Sequence, residues 1–292
     1  MPARPPAEST MSGATILNGK AIAEQMKAEL LAEIRRLGSG PPWLAIVSFD
    51  TPTSQLYLGA QLKQAKLLGI AVNYVEFCFP WTAAQEQVES AVIGLNQGQM
   101  HGIFVHQPMP PQIDAQRISA LIDPRKDIEG IHPQNMARRF FAKARIGSCT
   151  ALAVMRLIEE TGVNLEGREA VVVGHSEIVG RPVSMLLLDK LATTTVCHVA
   201  TRPLEEHVRR ADILVVAVGR PKLIKGAWIK PGAIVIDVGM NVTGGKVVGD
   251  VDFEEARKRA AFISPVPGGV GPVTVMMVMK NTVEAFKLQQ HG

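Results

Sequence analysis

Long apolar runs, clustered cysteines and a concentrated charge of one sign are all missing from this 292-residue sequence. Each absence removes a class of function. A membrane-spanning helix needs about 18 apolar residues, and the apolar segment Ile213 to Val218 is far too short, so no membrane partner is expected. The three cysteines, Cys78, Cys149 and Cys197, lie far apart with no C-x-x-C spacing. That pattern indicates neither a disulfide framework nor a metal site, and it fits a reducing, cytoplasmic setting. Aromatic residues make up only 5% of the chain, which disfavours a β-sandwich built on ringed side chains. The 31 basic and 27 acidic residues leave a net charge of +4, scattered rather than gathered into a stripe, so nucleic acid is not an expected partner. The modest positive balance would suit an anionic cofactor or a polyglutamylated substrate, though a solvated surface is the better explanation.

What is present is a core-forming composition, 47% apolar and 20% charged, in which helical and strand patterns alternate from Ile16 onward. Residues 21–37 read as a helix, 43–49 as a strand, 54–68 as a helix, 74–79 as a strand, 83–95 as a helix and 102–105 as a buried strand. Residues 123–135, DPRKDIEGIHPQN, read as a long polar loop. A domain boundary is expected near Ser148 to Thr150. Beyond it, a helix over 151–161 opens a second series: strand 170–173, helix 178–190, strand 194–199, helix 204–210, strands 213–218 and 233–238, and a closing helix over 273–288. This is βαβ organisation, which implies parallel sheets covered by helices. The first residues, MPARPPAESTMS, are rich in proline and small polar types and read as a disordered extension, with Met11 an alternative start.

The segment Gly174 to Gly180, GHSEIVG, joins an apolar strand to a helix. In a dinucleotide-binding fold, such a turn brings backbone N–H groups and a helix N-terminus to the pyrophosphate. Gly174 permits the tight turn and Gly180 permits close helix packing, while Ser176 replaces the middle glycine of a full G-x-G-x-x-G. Read alone, the segment is also consistent with a purely structural turn. The strand that follows ends in CHVATRP with no carboxylate to bind ribose hydroxyls. Arg202 there is a candidate for a 2′-phosphate, which points to NADP with NAD as the alternative.

Several stretches together resemble the bifunctional methylenetetrahydrofolate dehydrogenase/cyclohydrolase family, the FolD type. They are PTSQLYLGA at Pro52, HGIFVHQPMP at His101, PRKDIEGIHPQN at Pro124, GHSEIVGRP at Gly174, ADILVVAVGRP at Ala211, GAIVIDVGMN at Gly232 and SPVPGGVGPVT at Ser264. The resemblance implies an α/β protein of two domains: an N-terminal three-layer α/β folate domain and a C-terminal Rossmann-like dinucleotide-binding domain. The extension then covers residues 1–13, the folate domain 14–149 completed by the closing helix 273–292, and the cofactor domain 150–272. A homodimer is implied, with reduced folate bound between the domains. Substrate contacts are implied at Tyr57, Glu129, Pro267, Gly268 and Gly269. Cofactor contacts are implied at Gly174, His175, Ser176, Val179, Gly180, Val199, Arg202, Met240 and Thr274.

The chain departs from the family where the chemistry occurs. The family's Tyr-x-x-x-Lys is here Tyr57 and Gln61, and an amide neither carries charge nor transfers a proton at neutral pH. Lys63 lies about 160° round the helix from Gln61 and does not replace the lysine. The family's V-Q-L-P-L-P is Val105-His106-Gln107-Pro108-Met109-Pro110, which puts His106 at the glutamine position and leaves Gln107 on the opposite side of an extended chain. Glu129 replaces an aspartate expected to pair with the pterin amino group. Common Arg and Ser cofactor positions are His175 and Val199. These changes suggest a methylenetetrahydrofolate dehydrogenase whose cyclohydrolase step is weak or absent. The alternatives are a bifunctional enzyme that uses His106 or Gln107, a dehydrogenase acting on another reduced pterin, and a silent folate- or nucleotide-binding protein.

Overall fold

The computed structural model describes residues 13–38, 40–141 and 144–290, so the expected extension lies outside the described residues except for Gly13. The first half runs β1 (Thr15–Ile16), α1 (Gly19–Leu37), β2 (Trp43–Phe49), α2 (Pro52–Leu68), β3 (Ala71–Asn73), β4 (Cys78–Phe79), α3 (Gln85–Gln97), β5 (Gly102–Val105), α4 (Ala115–Leu121) and α5 (Pro133–Phe140). The second runs α6 (Cys149–Glu159), β6 (Glu169–Val173), α7 (Gly180–Asp189), β7 (Thr193–Cys197), α8 (Leu204–Arg210), β8 (Ile213–Val216), β9 (Ile234–Asp237), β10 (Asn241–Thr243), β11 (Lys246–Val248), α9 (Phe253–Ala256), β12 (Phe262–Ile263) and α10 (Val270–Gln290).

Two parallel sheets result, because strands joined through helices must run the same way. In the first, β2 is central. It pairs with β5 along Leu44 to Val47, and its other edge is shared by β3 at Trp43 to Ala45 and β4 at Ser48 to Phe49. Six of the seven β2 residues are buried, as a strand covered on both faces requires. The second sheet has the order β1-β12-β9-β8-β6-β7, with every pairing parallel. Because β7 flanks β6 on one side and β8 on the other, a crevice opens at the carboxyl ends of these strands. Open α/β sheets bind ligands at such a crevice.

The halves share one continuous apolar core, which runs from Ile22, Met26 and Leu44 to Val172, Ile236 and Met279. Two crossovers account for this. β1 lies next to the first half in sequence but pairs with β12 of the second sheet. α10 follows the second sheet but packs on α1, α2 and α6. The structure thus gives residues 15 and 16 to the second sheet, a pairing that their position in the chain did not suggest.

Most expected elements form within two or three residues of their expected ends, and 43–49, 102–105 and 204–210 coincide. The expected strand 74–79 does not form as one piece. Val75 to Phe77 make a 3₁₀ turn, and short strands on either side of it pair opposite ends of β2. The expected loop 123–135 ends in the start of α5, where Pro133 occupies the first turn and His132 Nδ1 accepts the Gln134 N–H. α4 was not expected, although Asp114 caps it by accepting from Gln116 and Arg117 N–H.

Glycines fix the close approaches. A Cβ on Gly180 would lie 2.1 Å from Gly174 O, whereas one on the exposed helical Gly59 would meet nothing within 4 Å. Gly180→Ala is therefore expected to cost at least about 2 kcal/mol by chemical denaturation. Gly59→Ala is expected to be neutral or to stabilise by up to about 1 kcal/mol. Equal effects at the two sites would contradict the packing described here.

Candidate active site

A cleft of about 510 Å³ opens between α2, the chain after β9 and the turn that leads into α10. α2 is well started. Thr51 Oγ1 accepts the Ser54 N–H, and Pro52 sits in the first turn. Helical spacing then puts Tyr57, Gln61 and Gln64 on one face. Tyr57 and Gln64 line the cleft, while Gln61 is fully buried behind it. The opposite wall is main chain, Pro265 to Gly271, with Gly268 at φ 105°. A Cβ on Gly271 would lie 3.9 Å from the Tyr57 hydroxyl, and one on Gly269 would lie 2.6 Å from Pro265 O. The glycines thus let bare backbone form a flat wall facing Tyr57.

Behind the α2 wall of the cleft, Gln61 Oε1 and His106 Nε2 are 2.8 Å apart. With the amide oxygen facing the ring, the imidazole is the donor. His106 is 3% exposed, lies edge-on to Phe104 at 5.4 Å, and continues the β5 ladder through its N–H to Val47 O. Burial pushes its pKa down to about 4, so the ring is neutral near pH 7. Gln61 Nε2 is buried with no hydrogen-bond partner, as is Gln64 Oε1. Gln107 is half-buried, and its side chain makes no hydrogen bond among the described residues. The structure therefore joins His106 to Gln61 and leaves Gln107 out. Lys63 is exposed and stands at the cleft rim, not at the Gln61 position.

Glu129 and Tyr57 share this region electrostatically. Burial, with the charge of Asp127 adding to it, pushes the Glu129 carboxyl up to about 7, against a hydrogen bond with Cys149. Burial and the nearby Glu129 raise the Tyr57 phenol above its ordinary value, which keeps it a neutral donor. Asn281, from α10, ties this corner together by donating to Ile128 O at 2.7 Å and Gly147 O at 2.9 Å. Its part was not foreseen, because a lone asparagine in an apolar helix carries no periodic signal.

The chain after β9 is held by two buried carboxylates that the sequence did not mark as site residues. Asp237 accepts from the Gly239, Asp250 and Val251 N–H groups at 2.8–3.0 Å. Asp250 accepts from the Val218, Gly219 and Arg220 N–H groups and from Asn241 Nδ2. Burial pushes the Asp237 carboxyl up to about 7 despite these donors, and the Asp250 charge adds to the rise. The signal for this pair was present. Gly239 and Gly249 stand where a Cβ would strike the Asp250 and Asp237 carboxylates. The network sets the path of residues 238–240, where Met240 is half exposed at the cleft edge. Thr274 also lines the cleft, and its Oγ1 donates to Val270 O.

The remaining expected cofactor positions gather at the carboxyl edge of the second sheet. Gly174 adopts φ 121°, and a Cβ there would lie 2.3 Å from Ala217 O. Ser176 Oγ accepts the Val179 N–H at 3.2 Å and the Gly180 N–H at 3.4 Å, which closes the turn onto α7. This cradle of backbone, glycine and a helix N-terminus fits a dinucleotide pyrophosphate. His175 and Val199 are exposed beside it. Arg202 is also exposed, and its Nη1 donates to Val199 O and Thr201 O.

Comparison with known proteins agrees with both halves. Residues 17–129 match the tetrahydrofolate dehydrogenase/cyclohydrolase catalytic domain, and residues 148–290 match the NAD(P)-binding domain of the same family. Bifunctional protein FolD 2 of Geobacter sulfurreducens is 44% identical, covering 96% of this chain and 99% of its own. The FolD structure from Campylobacter jejuni superposes with a TM-score of 0.90 at 38% identity, covering 94% of this chain and 99% of that one. The Trypanosoma brucei enzyme, solved with NADP and an inhibitor, has a TM-score of 0.91 at 39% identity, covering 97% and 100%. With both domains matched in order along nearly its whole length, the chain belongs to the tetrahydrofolate dehydrogenase/cyclohydrolase family.

Proposed function

We propose that this protein oxidises 5,10-methylenetetrahydrofolate to 5,10-methenyltetrahydrofolate with NADP as hydride acceptor, NAD being the alternative, and that its cyclohydrolase activity is weak or absent. The reading includes a homodimer, as the family resemblance implies, in the cytoplasm, as the scattered cysteines suggest. No helix among the described residues is long and apolar enough to cross a membrane.

The observation that carries this reading is the buried Gln61–His106 hydrogen bond. The nicotinamide, when bound, accepts the hydride. The chain's part in that step is positioning, which by itself contributes a large share of a barrier reduction. The Pro267–Gly269 wall and Tyr57 confine flat rings between them, and the Asp237–Asp250 network holds the facing loop. The family resemblance gives Glu129 the part of accepting hydrogen bonds from the pterin amino group, and its carboxyl is raised by burial beside Tyr57. Water addition to the methenyl carbon makes a further demand, since a proton must leave the attacking water. Gln61 has no proton to exchange at neutral pH. His106, with a pKa near 4, is too weak a base to take one and too rarely protonated to steer charge. Loss of a positioned acid–base group costs about 10²–10⁴-fold, so hydrolysis falls toward the uncatalysed rate while oxidation survives.

Two outcomes are expected. Purified protein given methylenetetrahydrofolate and NADP should accumulate the methenyl product, followed by its ultraviolet absorbance. Formyl product forming as fast as the cofactor is reduced would sink the reading. The second outcome concerns pH. Glu129 must be ionised to accept from the pterin, and its carboxyl titrates near 7. The KM for folate should be level at alkaline pH and climb as pH falls below about 7, by up to roughly tenfold per unit. A KM unchanged between about pH 6 and 8 would contradict the assignment. The same raised pKa has a stability consequence of fixed sign. The folded chain holds this proton more tightly than the unfolded one, so the Glu129 contribution is lost as pH rises from 4.5 through about 7.

A further inference from the structure

One helix reaches both sides of the candidate folate site. α10 begins at Val270, directly after the Pro267–Gly269 wall, and Gly271 and Thr274 in its first turns line the cleft. Further along the same helix, about 17 Å from Val270 at about 1.5 Å per residue, stands Asn281. It is 3% exposed, with Val278, Met279, Val283 and Ala285 buried around it in the helix. A buried amide among apolar neighbours is costly unless it is hydrogen-bonded, so its partners matter.

Three acceptors surround Asn281 Nδ2: Ile128 O at 2.7 Å, Gly147 O at 2.9 Å and Cys149 Sγ at 3.3 Å. The amide has two N–H groups, and sulfur is the weak acceptor of the three, so the carbonyls take the firmer bonds. Ile128 immediately precedes Glu129, while Gly147 and Cys149 stand at the start of α6. These two segments press together, since a Cβ on Gly130 would lie 2.7 Å from Gly147 Cα. Asn281 therefore clasps the Glu129 loop to the start of α6. It also bears on Glu129 through the thiol. Cys149 Sγ lies 3.3 Å from Ile128 O and hydrogen-bonds the Glu129 carboxyl as well. A thiol has one hydrogen to give. With Ile128 O already supplied by a stronger N–H donor, that hydrogen goes to the carboxylate, the better acceptor.

We propose that Asn281 is a positioning residue for the reduced folate: from α10 it holds the Glu129 loop at a set spacing from the Pro267–Gly269 wall and directs the Cys149 thiol to the Glu129 carboxyl. Removing the amide leaves two buried carbonyls without their donor. The thiol then turns to Ile128 O, and Glu129 loses a hydrogen bond to its charged form. The titratable groups facing Glu129 are Asp127 of its own loop, Tyr57 of α2 and Cys149 of α6. Asp127 opposes its ionisation and Cys149 favours it, so loss of the thiol donor moves that ionisation to higher pH.

The inference rests on reading Glu129 as the acceptor for the pterin, and binding without turnover tests it. Dissociation constants for tetrahydrofolate are measured by calorimetry on the full chain across neutral and alkaline pH, and those for NADPH by nicotinamide fluorescence. Asn281→Ala is expected to weaken tetrahydrofolate binding at least about fivefold while NADPH binding stays within about twofold. The pH below which folate binding weakens should also rise. Unchanged folate affinity and pH dependence, or an equal loss of folate and NADPH affinity, overturns the inference. Should Asn281→Ala not fold, Cys149→Ala cuts the same link from the other side and should shift the pH dependence the same way. Cys149→Ser, which keeps a donor, should shift it less; no shift in Cys149→Ala overturns the inference. Glu129→Gln separates the two readings. Native folate affinity in that variant removes the substrate role of Glu129, and the inference with it. Weakened binding there with none in Asn281→Ala strikes the inference alone.

Discussion

One buried hydrogen bond, between His106 Nε2 and Gln61 Oε1, lies behind the α2 wall of the cleft, and the proposed chemistry depends on it. Two neutral groups, 0% and 3% exposed, face each other where a protonated amine would need stabilising partners. A charge in such a place is tolerated only when it is paired and fully hydrogen-bonded. The polarity of the contact follows from its two members. In the family pattern a lysine, which only donates, sits on the helix and a glutamine sits after the strand. Here the helix presents the acceptor and the strand end presents the donor. Gln61 Nε2 is buried with no hydrogen-bond partner among the described residues.

The rest of the molecule serves this cleft by bringing main chain close and holding it still. Gly268 and Gly269 form the flat wall, and Gly174 and Gly180 form the cofactor cradle. Asp237 and Asp250, neighbours across Gly239 and Gly249, spend their carboxylate oxygens on backbone N–H groups of residues 218–220, 239, 250 and 251. Burying two carboxylates so close together is costly unless each is fully hydrogen-bonded, and these are. The crossing of β1 into the second sheet and of α10 into the first half keeps the walls in fixed register, because a single apolar core underlies both.

Much of this was legible in the sequence, for identifiable reasons. The apolar strands 43–49 and 102–105 and the GHSEIVG turn could be read because strand burial and glycine at a tight turn leave local signatures. The division of 74–79 into two short strands about a 3₁₀ turn could not, since both pieces pair with the same distant strand. The role of residues 15 and 16 in the second sheet depends on a partner more than 240 residues away. At the site, Gln61 could be read residue by residue as standing where the family resemblance implies a lysine. Its direct bond to His106 was not, because contact between positions 61 and 106 is a property of packing. The Asp237–Asp250 pair was hidden for the same reason, although the glycines that make room for it stand in plain view.

The central claim is that the neutral Gln61–His106 pair, standing where the family resemblance implies a lysine and a glutamine, does not support water addition, while hydride transfer persists. The direct measurement is the rate of methenyltetrahydrofolate hydrolysis by the native chain and by the double variant Gln61→Lys/His106→Gln, with dehydrogenase activity followed in parallel. The account predicts hydrolysis near the buffer rate for the native chain and a gain of at least about tenfold for the double variant, larger than the sum of the single changes. Rapid hydrolysis by the native chain would contradict it.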